Sequence, residues 1–185
     1  MTQGPQSGWG ARIQGTEGLE GELLAAVAEG TQNGLEMLGV KGAEMVQENI
    51  TTPYNGKPAA VCFGVLAGSV VSTFVREAGM FHETIGVSPV LGADRYAAPV
   101  ETGARPHMPP ASELLPWVQK KFGITDEKQA LSVAFAVAIN IRKKGTQGHQ
   151  MFSRALTEIE PLCAPALDAS IARSLVAHGF TGGVA

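Results

Sequence analysis

Tyr96-Ala-Ala-Pro-Val-Glu-Thr-Gly-Ala-Arg-Pro-His-Met-Pro-Pro110 crowds Pro99, Gly103, Pro106, Pro109 and Pro110 around Glu101, Arg105 and His107. Proline fixes its own φ and drives the residue before it out of the α region, which biases Ala98, Arg105, Met108 and Pro109 toward extended backbone. The reading is one extended path with a sharp corner, and Tyr96–Val100 reads as an edge strand ended by Pro99. Such a rigid segment suits a catalytic loop, a binding loop or an assembly surface.

Downstream the pattern turns helical. Residues 111–122 predict a short helix with Ser112 as cap, Pro116 just past the first turn and an apolar line of Leu114, Leu115, Trp117, Val118 and Phe122, closed by Gly123. Residues 125–144 give the strongest helix signal of the chain. Thr125 or Asp126 caps it, Leu131, Phe135, Ala138, Ile139 and Ile141 form its stripe, and Arg142, Lys143 and Lys144 sit where the helix dipole favours cations. Residues 150–178 form a last helical region, with a kink expected where Pro161 and Pro165 intervene.

Upstream, residues 19–50 place Leu23, Val27, Leu35, Leu38, Met45, Val46 and Ile50 at helical spacing. Gly30, Gly34, Gly39 and Gly42 weaken that helix by up to about 1 kcal/mol each. Either two helices meet near Gly39 or packing holds one long helix. Asn55-Gly56 is a strong turn signal. Residues 69–76 and 81–87 read as strands around a turn at Gly79, with Phe81, Ile85 and Val87 on one face. The expected fold class is therefore α+β: a long N-terminal helical region, a small mainly antiparallel sheet, and two or three C-terminal helices packed on it. Residues 1–17, Gly- and Gln-rich, read as a flexible arm that orders on a neighbour, 18–178 as one domain and 179–185 as a tail.

Composition narrows the function. The 185 residues are 44% hydrophobic and 17% charged, with a net charge of −3, which describes a globular chain without the basic excess of a nucleic-acid binder. Cys62 and Cys163 read as small buried hydrophobes. No apolar run approaches the roughly 18 residues of a membrane span, and the N-terminus lacks the pattern of a secretory signal.

Motifs for phosphate, dinucleotide, zinc or dithiol chemistry are missing from the sequence. His82-Glu83 has no histidine at zinc spacing, and His107, His149 and His178 are scattered. Glu101 and Arg105 could act as a general acid and a substrate clamp. The preferred reading makes them a local ion pair or backbone-bonding groups that stiffen the corner.

The order of these segments resembles the phage tail-component family, the neck and tail-completion proteins that join head to tail in long-tailed phages. Residues 97–107 resemble that family's "YAPYVEFGTRPH" corner. Pro109-Pro110, Leu115 and residues 117–123 resemble its "PP…L..WV.RKLG". Residues 136–146 resemble an alanine-rich helix ending in "RKGT", and residues 150–155 its "PFF..A", with Met151 where an aromatic is usual and Gln150 where proline is usual.

This resemblance implies a structural virion protein and no enzyme, cofactor or metal. It implies a six- or twelvefold homo-oligomeric ring, assembled in the host cytoplasm, between head-completion or adaptor proteins and tail-terminator or tail-tube proteins. DNA would pass its lumen without sequence-specific contact, and no membrane is involved. Glu101, Gly103, Arg105, Pro106, His107 and Trp117 would then shape a subunit junction. The alternatives are a tail terminator capping the tail tube and, in another class, a small hydrolase or ligand-binding domain using the Glu101/Arg105/His107 loop.

Overall fold

Leu19–Thr51 is one continuous helix of 33 residues, α1. The glycines that weaken it are its points of closest approach. A Cβ on Gly30 would stand 2.6 Å from the Cα of Ile171, and one on Gly34 would stand 2.9 Å from Leu167. Across the helix, Gly39 and Gly42 leave room for Glu83 and Ile85. Propensity lost at these positions is offset by close packing, which decides in favour of one long helix.

The computed structural model describes residues 18–56 and 64–180. The elements after α1 are α2 (Val65–Gly68), β1 (Val70–Glu77), β2 (Met80–Val87), α3 (Asp94–Thr102), β3 (Gly103–Ala104), α4 (Ala111–Phe122), α5 (Glu127–Lys144), β4 (Thr146–Gln147) and α6 (Met151–Ala177). The class is α+β: a long N-terminal helix, small antiparallel sheets and C-terminal helices. The arm expected at 1–17, Cys62, and all but Gly179 and Phe180 of the expected tail lie outside the described residues.

β1 and β2 pair antiparallel from Val70 opposite Val87 to Glu77 opposite Met80. Their two-residue turn, Ala78-Gly79, has both φ positive, as the right-handed twist of a hairpin requires. Asn55-Gly56 turns in the same way. α6 runs antiparallel along α1, since Asn49 bonds the carbonyl of Met151 while Glu29 meets His178 at the other end. The main core joins Ala43, Val46 and Ile50 of α1 to Val70, Met151 and Ala155. Pro161 and Pro165 both lie within the continuous α6.

Three local expectations need correction. Residues 96–100 are not a strand. They belong to α3, with Pro99 inside it, because Ala97 and Val100 three residues apart pack one helical face against the main core. The prolines therefore do not make one extended path, and only residues beyond Thr102 leave the helix. Ser112 does not cap α4: the helix starts directly after Pro110, so Pro116 falls in its second turn. Cys163 is half-buried, with its thiol on the carbonyl of Ile159.

α5 also differs from its expected stripe. Of the two expected caps, Thr125 and Asp126, Asp126 is the one used, accepting a bond from the Gln129 amide. The buried face, however, is Ala130, Ala134 and Ala138, and it packs on α4 around Val118. Alanine lets the two helix backbones approach closely, whereas Leu131 and Phe135 point outward, 45% and 53% exposed. The α4–α5 pair thus has a small core of its own, joined to the rest through the β3–β4 pairing at its base.

Candidate assembly junction

Glu101 lies in the last turn of α3, and its carboxylate closes the start of a helix fifty residues further along the chain. One oxygen accepts from the Phe152 amide at 2.8 Å, and the other accepts from the Ser153 amide at 3.1 Å and its hydroxyl at 2.6 Å. These are the second and third residues of α6, whose own N-cap position, Gln150, is left-handed and makes no side-chain cap. The first amides of a helix lack internal partners and carry the positive end of its dipole, so a carboxylate there is favoured twice over. Glu101 is therefore bound to backbone and not to Arg105.

Backbone bonds extend the same junction. The amides of His149 and Gln150 donate to the carbonyls of Val100 and Glu101. β3 pairs with β4, with Gly103 opposite Gln147 and Ala104 opposite Thr146. Gly103, at φ 81°, has no room for a side chain against the Thr146 carbonyl and the Gly148 amide. Gly148 in turn faces the carbonyl of Glu101 with no space for a Cβ.

Residues to which the sequence assigned no shared role complete the junction. Buried His149 donates from Nε2 to the Thr52 carbonyl at 2.9 Å and meets the edge of Tyr54. The Arg154 guanidinium lies 4.3 Å from the Tyr54 ring centroid and reaches the Asn49 carbonyl. Tyr54 donates to Gln150 Oε1, and buried Asn49 donates to the Met151 carbonyl. Four segments are tied here: the end of α1, the end of α3, the return from β4 and the start of α6. No local motif marks these partners, because their separations reach about a hundred residues and only the α1–α6 packing brings them together.

The remaining corner residues lie away from that knot. Arg105, Pro106 and His107 are exposed, and His107 Nδ1 donates to the Arg105 carbonyl at 2.8 Å. Trp117 is half-buried in the α4–α5 core, edge-on to Phe122, with Lys121 Nζ over its ring. The structure therefore brings Glu101 and Gly103 into the junction and leaves Arg105, Pro106, His107 and Trp117 on the arm that leads out of it.

Outside the junction, Glu83 of β2 is wedged against Gly39. Burial pushes its carboxyl above the usual value, a hydrogen bond from Ser72 works against that rise, and the charge of Glu36 adds to it. One of its oxygens is buried without a hydrogen-bond partner. Among the described residues no three His, Cys, Asp or Glu side chains gather as metal ligands. No described helix is long and apolar enough to cross a membrane. Comparisons with protein-family models, curated proteins and solved structures give no match.

Proposed function

We propose that this chain is a structural subunit of a ring in the neck of a long-tailed phage, between the portal side of the head and the tail. The observation that carries the reading is the use made of Glu101. The corner's one carboxylate is spent on the amides of α6, and the glycines beside it admit backbone and nothing larger. That supports an architectural corner, as the resemblance of residues 97–123 and 136–155 implies. A helical arm with outward-facing Leu131 and Phe135 also suits a subunit that buries surface against neighbours.

The test is to produce the full chain with the portal-side and tail-side proteins encoded beside it, and to examine the products by native mass spectrometry and electron microscopy. Rings of six or twelve copies are expected. A stable monomer that turns over a small ester or phosphoester, and loses that turnover in Arg105→Ala and His107→Ala while still folded, would overturn the proposal.

A further inference from the structure

α5 has two apolar faces, and the fold uses one. Ala130, Ala134 and Ala138 meet α4, while Leu131, Phe135 and the half-buried Ile139 form a second row at four-residue spacing. Lys128 and Arg142, both exposed, lie seven residues to either side of Phe135 on that same face. The face reads base, apolar row, base over about 21 Å at 1.5 Å per residue.

The outer face of α1 has the opposite pattern. Met37 and Val40 are 47% and 55% exposed, and Glu29, Glu36 and Glu44 surround them on the same side of the helix. Glu29 and Glu44 stand about 22 Å apart along the axis. This face reads acid, apolar, acid at nearly the same spacing. Glu29 touches His178 and Glu44 touches Lys41 at the surface, where such contacts exchange readily with other partners. The regions differ in charge as wholes: α1 carries six acidic residues and one basic, and residues 111–144 carry six basic and three acidic.

We infer that the Leu131/Phe135 face of α5 docks on the Met37/Val40 face of α1 in a second copy of this chain. The occupant follows from the matched charge spacing and from the place of the two faces on one molecule. α5 belongs to a pair tethered at its base, and α1 belongs to the body, so each subunit offers one donor face and one acceptor face. Such a contact is heterologous and repeats around a ring. The inference deepens the ring reading and rests on it for closure, but the pairwise contact can be measured alone.

The measurement is sedimentation velocity of the full chain up to its solubility limit, at low and high salt. Wild type should self-associate in a concentration-dependent way and do so less in high salt, since exposed charges flank the contact. Phe135→Asp and Met37→Asp should each weaken association about tenfold or more. Mixed together they should form a one-to-one dimer and nothing larger, because one keeps only its α1 face and the other only its α5 face. Should either fail to melt like wild type, Arg142→Glu stands in for Phe135→Asp and Glu44→Arg for Met37→Asp, each weakening association alone and associating again when mixed.

Wild type that stays monomeric, single variants that associate like wild type, or a mixture with no dimer would each overturn the inference. Rings that form undiminished with Phe135→Asp would remove this contact and leave the ring reading standing, whereas wild type forming no ring with its neck partners would remove that reading instead.

Discussion

At the scale of single residues, two carboxylates show opposite uses of the same group. Glu101 meets three donors at the start of α6, so Glu101→Ala should cost about 2 kcal/mol in urea unfolding and Glu101→Gln about half that. A loss below about 0.5 kcal/mol for the alanine variant would mean that the cap contributes little. Glu83 is held where its charge is disfavoured. With its folded pKa above the unfolded one, the folded protein binds the proton more readily. The resulting penalty is present at neutral pH, shrinks as pH falls through the folded value, and is gone below the ordinary 4.5. Glu83→Gln should therefore melt higher than wild type at pH 7, with the gap closing on acidification. A gap that widens toward low pH would contradict the burial argument. Sequence showed Glu101 as a residue that could bond backbone, but its partners Phe152 and Ser153 were not legible, because capping across the chain leaves no local pattern.

Among the elements, those with strong local periodicity were read well. The β1–β2 hairpin, the cap at Asp126 and the span of α4 follow from alternation, capping chemistry and glycine stops that act within a few residues. α3 departs from the expected strand because Pro99 favours extended backbone locally while Ala97 and Val100 gain core contacts available only in a helix. α5 was read as a helix but with the wrong buried face: bulk pointed to Leu131 and Phe135, whereas close helix packing selected the alanines. Trp117 sits half-buried in that same pair. Trp117→Ala should cost about 2 kcal/mol, below the 3–5 of a fully buried aromatic. Faster amide exchange should then be confined to residues 111–144. Faster exchange spread equally through α1 and α6 would show that the pair shares its stability with the body.

For the whole molecule, the net charge of −3 conceals an acidic α1 and a basic α4–α5 pair, an asymmetry that matters only once the two stand apart in space. Gly30, Gly34, Gly39 and Gly42 of α1 show the same dependence on context. In sequence they are propensity losses, and in the fold they are where α6 and β2 come nearest. By itself the sequence determined the α+β class, the hairpin and most helix spans, because these depend on contacts and steric limits within one or two turns of chain. Tertiary structure alone decided that α1 is unbroken, that Pro99 lies in a helix, and which face of α5 is buried. It also decided that Glu101 and His149 share one junction. Those outcomes depend on groups as far apart in the chain as Gly30 and Ile171, whose packing energies exceed local preferences and leave no trace in local periodicity.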